Sequence, residues 1–557
     1  MNTVSSLVPV VALTFASAAW ALPSAPQGAA ASPGFRLFGP HNTNDTFLVD
    51  TAGVIVHSWP GSYFPGNGMY LIEDDGRLVR TGREPGGPTP GGFGGNVQRR
   101  TFDGTLEWEY TMADADIWHH HDIALMPNGN ILAIVWDRQV QADAIAAGRN
   151  PATVTGADWL PDAIIEIEPV GTTDGNIVWE WHVSDHLIQD FDATKANFGV
   201  VSDHPELLDI NYPPTDVTNG DWNHANSISY DPARDLILIN FPFQDELFIL
   251  DHSTTTAEAA GHTGGNYGMG GDFLYRWGNP QAYGQGDSSD QVFFNQHGAY
   301  VIPEGLPGAG NILIFNNQAG FAIGEEWSSV IEIAPPYEPG GFTKTAGVPF
   351  GPTTPVWEYC APTKTDLYSS GLSNVERLPN GNTQIMSGRQ GGWMFEVTPG
   401  GAIVWEYFPV LPDPPNLLFQ VSYYERTLWA TGNSLSVSAG GTIDFDLVSG
   451  SVNAGNLYLV LGSLAGTSPG IDYQGFNLPL NLDSYFLFTA ANANGAVLPG
   501  TFGTLDGLGN GAAQLVLGAG VAAATAGMTA HHAYAVLDPV TLAVQHTSNA
   551  AATELLP

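Results

Sequence analysis

Short stretches of alternating apolar residues, separated by turns rich in glycine and asparagine, recur along most of the chain. The clearest recurring segment is a turn residue followed by a β-rich run that ends in an aromatic pair, as in GNIVWEW at residues 175–181. We count six copies, which occupy residues 53–59, 104–110, 175–181, 272–277, 355–359 and 401–407. Alternation with a period of two residues predicts β-strands with one buried face.

Further apolar runs precede and follow most copies of the segment, so each copy belongs to a larger unit. One example is HDIALMPNGNILAI at residues 121–134, in which Asn-Gly between two apolar runs predicts a β-hairpin. Six copies of a four-stranded unit predict an all-β chain with a six-bladed β-propeller over residues 22–424. Long insertions at residues 138–163, 182–223 and 251–271 are expected to build a site on one face of the propeller.

The pattern changes after about residue 424. Alanine, glycine, serine and leucine dominate residues 425–557, and short alternating stretches such as LYLVL at 457–461 continue. We expect a small C-terminal β-sandwich domain here, with an accessory or surface-association role. No residue pattern in it indicates chemistry.

The chain is strongly acidic. Its 557 residues carry a formal net charge of −40, with only 16 lysines and arginines. Binding nucleic acid requires clustered basic side chains, so we exclude nucleic acid as a partner. The acidity is typical of solubility in a secreted or saline setting, and bound cations are the alternative explanation.

Residues 1–21 are typical of a secretory signal peptide. An apolar run over residues 7–20 ends in Ala19-Trp20-Ala21, a small-x-small cleavage pattern. We therefore expect a secreted or periplasmic protein, cleaved near Ala21. No later stretch predicts a transmembrane anchor. Cys360 is the sole cysteine, so no intrachain disulfide is possible.

Three histidines begin equivalent strands in three of the repeat units. His121 lies six residues before Pro127, and His297 lies six residues before Pro303 in FNQHGAYVIP. His224 precedes Pro232 by eight residues, which fits the same position with a longer turn, and Ser373 precedes Pro379 by six. Because the first residues of the innermost strands line one mouth of a propeller channel, we expect these side chains to meet in one axial pocket.

Three converging imidazoles have two chemical uses. They could bind a metal ion such as Zn²⁺, with Asp122 and Asp221 as further ligands. They could also act as nucleophile and acid–base catalysts. The spacing leaves both open.

At these residues the chain resembles the bacterial arylsulfate sulfotransferases, specifically their secreted propeller branch. The resemblance covers roughly residues 35–410. It rests on motifs whose letters are HHDIALMPNGN (120–130), DWNHANSISYDP (221–232), DHSTTTAEAAGHTGG (251–265), FLYRWGNPQAYGQG (273–286), FNQHGAYVIPEGLPGAGNILIFNN (294–317) and VERLPNGNTQIMSG (375–388).

The resemblance implies transfer of a sulfuryl group from a phenolic sulfate ester to a phenol, without a nucleotide sulfate donor. It implies that His297 is a nucleophile that forms a transient sulfohistidine, and that His224 serves in proton transfer or charge stabilisation. His121 matches a histidine that contacts the sulfuryl oxygens, with His120 as the alternative. The family's reaction needs no cofactor and no catalytic metal.

Further substrate contacts are expected from Asn226, Ser373 and Arg389. The chain departs from the family at one position. Members carry an arginine eighteen residues beyond the histidine of the DWxHxN motif, whereas Pro242 stands there in this chain. Arg389 and Arg276 are candidate substitutes for this cation.

Two other functions are compatible with the sequence. One is a propeller that binds sulfated or phenolic ligands without transferring the sulfuryl group, which Pro242 would favour. The other is a metal-dependent hydrolase or lyase that uses the same three histidines. In the preferred interpretation the partners are a small aryl sulfate donor and a phenolic acceptor.

Overall fold

The fold is built almost entirely from short antiparallel strands. The computed structural model describes residues 30–72, 75–88, 91–92, 94–213, 220–338, 340–410 and 417–557. The predicted signal peptide, residues 1–21, lies outside these residues. The described chain divides into two compact units, one within Ala30–Ile72 and Arg77–Glu425, the other of Arg426–Pro557 with Asp75 and Gly76. The prediction of an all-β fold is confirmed.

Six four-stranded antiparallel sheets make up the first unit, and we number them along the chain. The strands of sheets 1 to 3 are Phe35–Phe38, Thr46–Asp50, Ile55–Trp59 and Val421–Tyr424 (sheet 1); Pro65–Leu71, Leu78–Arg83, Gly95–Arg100 and Leu106–Thr111 (sheet 2); Ile117–Leu125, Ile131–Asp137, Asp162–Val170 and Asp174–His182 (sheet 3). Those of sheets 4 to 6 are Ser227–Asp231, Leu236–Phe241, Glu246–Asp251 and Tyr275–Trp277 (sheet 4); His297–Val301, Ile312–Asn316, Ser329–Ile333 and Trp357–Cys360 (sheet 5); Asn374–Arg377, Thr383–Ser387, Trp393–Val397 and Ile403–Tyr407 (sheet 6).

The six sheets form a closed ring. In sheets 2 to 6 the first strand is innermost, and each innermost strand contacts that of the next sheet. Sheet 1 takes its innermost strand, Val421–Tyr424, from the end of the unit, where it pairs with Phe35–Phe38. Tyr424 then accepts the Leu71 N–H on its hydroxyl at 2.8 Å, which joins sheet 1 to sheet 2. This ring is the arrangement of a β-propeller.

Apolar side chains fill the spaces between neighbouring sheets. Separate buried clusters lie between sheets 2 and 3, 3 and 4, 4 and 5, 5 and 6, and 6 and 1. Full burial of one aliphatic side chain contributes about 1.5–3 kcal/mol, so these clusters supply most of the free energy that holds the sheets together.

The aromatic pairs of the repeat have a second role besides packing. One tryptophan on the outermost strand of each sheet donates its indole N–H to a backbone carbonyl at or just before the outermost strand of the next sheet, and sheet 6 donates back to sheet 1. The donor–acceptor pairs are Trp59 and Thr101 (3.2 Å), Trp108 and Asp174 (2.8 Å), Trp181 and Gly271 (2.8 Å), Trp277 and Pro352 (2.8 Å), Trp357 and Pro399 (2.9 Å), and Trp405 and Thr51 (2.9 Å).

The insertions and the second unit add short elements. The described α-helices are Gln141–Ala146, Thr256–Ala259 and Ser484–Ala491, and the 3₁₀ helices are Val183–Asp185, Val201–Asp203, Pro280–Tyr283, Phe321–Ile323, Lys364–Asp366, Ser451–Asn453 and Ala523–Thr525. Short paired strands in the insertions are Gln139–Val140, Asp158–Trp159, Leu187–Ile188, Leu208–Asp209, Tyr337–Glu338 and Gly341–Phe342.

The second unit contains two larger sheets that enclose one apolar core. Their strands are Leu428–Ala430, Gly441–Val448 and Asn510–Leu517 in one sheet, and Ser434–Ser436, Ala551–Leu556, Thr529–Leu537, Leu457–Ser463, Phe502–Thr504 and Val544–Thr547 in the other. A hairpin of Ile471–Tyr473 and Phe476–Leu478 completes it.

Replacing Trp357 with phenylalanine should destabilise the first unit by about 1 kcal/mol, because the Pro399 carbonyl of the next sheet loses its donor while the aromatic packing is retained. Trp393→Phe is the matched control. Trp393 is also half-buried, but its indole N–H has no hydrogen-bond partner among the described residues. Urea unfolding curves of both variants measure the difference, and equal losses of stability would refute a role for the inter-sheet hydrogen bonds.

Candidate active site

Two of the candidate residues, His121 and His297, lie where an innermost strand changes register. Pairing shifts between Pro65 and Met69 in sheet 2, between His119 and Ile123 in sheet 3, and between His297 and Tyr300 in sheet 5. A bulge of this kind redirects a side chain away from the regular alternation of a strand. The register shifts in sheets 3 and 5 therefore take His121 and His297 out of the regular alternation of their strands.

Two of the predicted histidines have left-handed backbone conformations. The φ angles are 55° at His121 and 58° at His224. For a residue other than glycine this conformation costs roughly 1–2 kcal/mol, so surrounding contacts must impose it. At His121 one such contact is its backbone N–H, which donates to the Gly92 carbonyl at 2.9 Å.

His121, His224 and His297 come together as the sequence predicts, and Phe419 lies among them. The His121 and His224 rings meet edge to face with centroids 4.6 Å apart. Phe419 lies 5.7 Å from the His121 ring and 6.4 Å from the His297 ring. Sheets 3, 4 and 5 each supply one imidazole, and the segment that closes the ring supplies the aromatic side chain.

The hydrogen bonds of His297 fix its tautomer. Its Nδ1 lies 3.0 Å from the Asn295 carbonyl oxygen and 2.9 Å from Asn317 Oδ1. The orientation of the Asn317 amide follows from its Nδ2, which donates to the carbonyls of Ser369 at 2.8 Å and Leu372 at 2.9 Å. Because both partners of Nδ1 are acceptors, Nδ1 carries the proton and Nε2 carries the lone pair.

The surroundings of His297 favour its neutral form. Burial, together with the nearby charges of His224 and Arg389, lowers the pKa of His297 to about 3. A neutral imidazole with a fixed lone pair on Nε2 is able to act as a nucleophile without first losing a proton.

His224 has the opposite electrostatic environment. Burial lowers its pKa, but the charge of Asp221 and the hydrogen bond between His224 Nδ1 and Asp221 Oδ2 outweigh burial, so the pKa of His224 lies above its ordinary value. Asp221 is itself held by the Trp136 indole N–H, which donates to Oδ1 at 3.1 Å. The ring of Phe243 stacks on His224 with centroids 4.7 Å apart. His224 is therefore the imidazole of this site that is most readily protonated.

His120 lies behind His121. The two Nδ1 atoms are 2.8 Å apart, so one ring donates and the other accepts. The His120 ring stacks on Trp136 at 4.1 Å, and its Nε2 lies 3.0 Å from Asp162 Oδ1. Burial is the main reason that the pKa of His120 falls to about 3. It is also the main reason that the pKa of His121 lies well below its ordinary value. His120 thus supports His121 from a position buried within the protein.

Asn226 and Ser373 are buried and use their polar atoms within the protein. Asn226 Nδ2 donates to the Gln296 carbonyl at 2.9 Å, which anchors the residue before His297. Ser373 Oγ donates to Ser369 Oγ at 3.0 Å and accepts the Gly388 N–H at 3.0 Å. Their contacts position the backbone on either side of the imidazole cluster.

The two candidate substitute arginines have different surroundings. Arg389 lies close to His297, and both side chains pack beside Gly371. A β-carbon on Gly371 would lie 3.3 Å from Arg389 Nε and 3.8 Å from His297 Cε1. Arg276 is fully buried and binds Glu246 through two hydrogen bonds, one from Nε to Oε1 at 2.9 Å and one from Nη2 to Oε2. The guanidinium next to the nucleophile candidate is therefore that of Arg389.

Both carboxylate oxygens of Asp122 accept hydrogen bonds from groups other than the imidazoles. Its Oδ1 accepts from the Tyr70 hydroxyl at 2.8 Å and from the Ile123 N–H at 2.9 Å, and its Oδ2 accepts from the Ile228 N–H at 3.3 Å. These contacts join sheets 2, 3 and 4. Burial raises the pKa of Asp122 to about 7.

Sequence reasoning missed Asn317, Phe243 and Phe419. Asn317 lies twenty residues after His297 in the IFNN sequence, and its spacing gives no sign that it orients the histidine. Phe243 follows Pro242 directly, so inspection of the position of the family arginine could have found it. Phe419 lies outside every repeat copy.

The ring of sheets and its clustered histidines define a β-propeller protein with a polar site on its innermost strands and the segments that lead into them. The model of the arylsulfotransferase (ASST) family matches residues 33–332, which is more than half of the chain. The chain therefore belongs to the arylsulfotransferase family.

Other comparisons are much weaker. No curated protein matches the chain. Among solved structures, a periplasmic gluconolactonase of Pseudomonas aeruginosa has 10% identity and a TM-score of 0.35, with 70% of this chain and 99% of that chain covered. A putative 6-phosphogluconolactonase of Bacteroides fragilis has 10% identity and a TM-score of 0.33, with 71% and 98% covered. Similarity at this level gives no information about function.

Across the part of the chain that the structure describes, none of the helices has both the length and the apolar character that a membrane crossing requires.

The substitution Asp221→Asn should lower the pKa of His224, because the carboxylate charge that outweighs the effect of burial is removed. His224 would then lose its proton at a lower pH than in the parent protein. NMR titration of protein with ¹³C-labelled histidines measures the shift. His252, which is paired with Glu166 and Asp235, is the internal reference. An unchanged titration of His224 would contradict the role assigned to Asp221.

Proposed function

We propose that the protein is an aryl-sulfate sulfotransferase that moves a sulfuryl group from a phenolic sulfate ester to a phenol through a sulfohistidine at His297. The observation that carries this proposal is the tautomer of His297, in which Asn295 and Asn317 hold the proton on Nδ1. Family membership supports the class of reaction at a coarser level.

In the first half-reaction the Nε2 lone pair of His297 attacks the sulfur of the aryl sulfate. The N–S bond forms as the bond between sulfur and the phenolic oxygen breaks, and the departing phenolate takes a proton from His224. The side chains support this order, since His297 is neutral while the pKa of His224 is raised beside Asp221.

The second half-reaction reverses these steps with a different phenol. His224, now neutral, accepts the proton of the acceptor hydroxyl as the oxygen attacks sulfur, and the N–S bond to His297 breaks. The aryl sulfate itself is the sulfuryl donor, so no nucleotide sulfate is needed. Double-displacement (ping-pong) kinetics follow from the covalent intermediate.

His121 and Arg389 are placed to stabilise negative charge on the sulfuryl oxygens. Burial raises the pKa of Asp162 well above its ordinary value, so a protonated Asp162 is able to donate to His120 Nε2. His120 then donates its Nδ1 proton to His121 Nδ1, and the Nε2 of His121 carries a proton and is a hydrogen-bond donor. Arg389 supplies a permanent positive charge beside His297. Fixed donors around the transferring group lower the barrier because they stabilise charge that grows in the transition state.

We also propose that residues 22–424 are the catalytic unit and that residues 425–557 are an accessory domain. The leader pattern of residues 1–21 supports a secreted or periplasmic location. The substrates of this proposal are small aryl sulfates and phenols.

His297→Asn should abolish both transfer and labelling of the protein, because the amide has no nucleophilic nitrogen lone pair. The assay is release of p-nitrophenol from p-nitrophenyl sulfate with and without a phenol acceptor. After incubation of the parent protein with the donor alone, intact-protein mass spectrometry should show a mass increase of one sulfuryl group. The His297→Asn variant should show no increase. His204→Asn, at a histidine with a half-exposed side chain that is paired with Glu206, is the matched control.

Activity retained in the His297 variant would refute the nucleophile assignment. Release from the parent protein that does not depend on acceptor would indicate hydrolysis. Inactivity of the parent protein on a panel of sulfate esters, with binding of those esters intact, would instead support a propeller that only binds the ligand.

Arg389→Gln should lower kcat/KM by about 10²–10³, by analogy with loss of one donor that stabilises transition-state charge. The control is Arg138→Gln, which removes the same charge from an exposed side chain. Steady-state rates with p-nitrophenyl sulfate provide the measurement. A variant with the parent kcat/KM would exclude Arg389 as the cation that replaces the family arginine.

A further inference from the structure

A second histidine cluster lies in the long insertions and shares no residue with the candidate active site. His186 follows the outermost strand of sheet 3, and His262 and Asp272 belong to the segment between the last two strands of sheet 4. The Nδ1 atoms of both histidines lie 2.8 Å from the same oxygen, Asp272 Oδ1. One potential ligand atom from each of the three residues lies within 4.8 Å of the other two.

His186 is held rigidly in this cluster. Its ring is fully buried and lies parallel to Trp181, with an interplanar angle of 7° and centroids 5.6 Å apart. Its Nε2 lies 2.8 Å from the Ala259 carbonyl oxygen. Gly271 makes room for this contact, since a β-carbon there would lie 2.0 Å from the Ala259 oxygen and 2.6 Å from His186 Nε2.

The contact with Ala259 determines which nitrogen of His186 carries the proton. A carbonyl oxygen only accepts, so Nε2 must donate. In a neutral ring the lone pair of Nδ1 then points at Asp272 Oδ1, which also carries lone pairs, at 2.8 Å. Two lone pairs at this distance require either a proton or a metal cation between the two atoms.

We propose that His186 Nδ1, His262 Nδ1 and the Asp272 carboxylate bind a divalent transition-metal ion, with Zn²⁺ as the best match. Two imidazoles and one carboxylate are a typical zinc ligand set, and three protein ligands leave the fourth position for water or another ligand. The hydrogen bond from His186 Nε2–H to a backbone carbonyl is the outer contact that fixes the tautomer of a metal-bound imidazole.

The surroundings allow the small adjustment that coordination needs. Zn–N and Zn–O bonds of about 2.0–2.1 Å require ligand atoms to lie slightly farther apart than 2.8 Å. The His262 side chain is 60% exposed, so this ring is able to move while His186 stays fixed. His262 also lines an open pocket of about 500 Å³ together with Lys195 and His204, which gives the fourth coordination position access to solvent.

A metal at this point would connect the insertion after sheet 3 to the segment within sheet 4. Because binding to the folded state alone stabilises it, Zn²⁺ should raise the thermal unfolding midpoint of the protein. The role is independent of sulfuryl transfer, so its test does not use enzyme activity.

The test uses the full-length protein after treatment with EDTA and dialysis. Titration with Zn²⁺ against a chromophoric chelator should give one tight site per chain, and Co²⁺ should give visible absorption bands typical of tetrahedral nitrogen and oxygen coordination. His262→Ala should weaken Zn²⁺ affinity on the order of 100-fold or more, since loss of an outer-sphere partner alone costs about 10–100-fold. Asp272→Asn is the second variant, in case one of the two fails to fold.

His204→Ala is the matched control, because it removes an imidazole from the same pocket without touching the cluster. It should retain the parent affinity, as should His297→Asn at the axial histidines. A parent protein that binds neither Zn²⁺ nor Co²⁺ would overturn the proposal and favour a proton between His186 Nδ1 and Asp272 Oδ1. Binding that survives His262→Ala but is lost in His297→Asn would also overturn it, because the metal would then lie at the axial site.

Discussion

The closed ring of indole hydrogen bonds is the constraint from which the rest of the first unit follows. Each sheet donates one tryptophan N–H to the backbone of its neighbour, and the bond from Trp405 to the Thr51 carbonyl returns the ring to its start. The apolar clusters between sheets are strong but non-directional, whereas each indole bond specifies one angle and one register between two sheets. Six such bonds in a cycle limit the position of each sheet relative to both of its neighbours. The innermost strands are thereby held where their polar ends meet.

Closure of this ring also completes the candidate active site. The strand Val421–Tyr424 pairs with Phe35–Phe38, and the segment leading into it carries Phe419 to a position between the rings of His121 and His297. The site therefore depends on residues separated by nearly the whole unit. A change that loosens the closing strand is expected to disturb the aromatic wall of the site, even though it touches no imidazole.

The sequence allowed prediction of the features that local pattern controls. The aromatic repeats predicted the sheets, and the equal spacing of His121 and His297 from a following proline predicted that both would begin inner strands. His297 does begin its strand, whereas His121 is the fifth residue of Ile117–Leu125. Orientation within the site was beyond prediction, because it depends on left-handed φ angles and on the amide of Asn317, which is held by carbonyls of the segment that leads into sheet 6. The cluster of His186 and Asp272 was missed because these residues are eighty-six positions apart in the sequence and meet only in the folded chain.

Burial alone does not explain the chemistry of the axial imidazoles. His224 and His297 are both largely buried, and burial lowers the pKa of each. Only His224 has a carboxylate, Asp221, at its Nδ1, whereas the Nδ1 of His297 faces two neutral carbonyl oxygens. A charged acceptor favours the imidazolium, and a neutral acceptor fixes a tautomer without adding a proton. The same ring nitrogen, given two kinds of acceptor, thus distinguishes the proposed acid from the proposed nucleophile within one site.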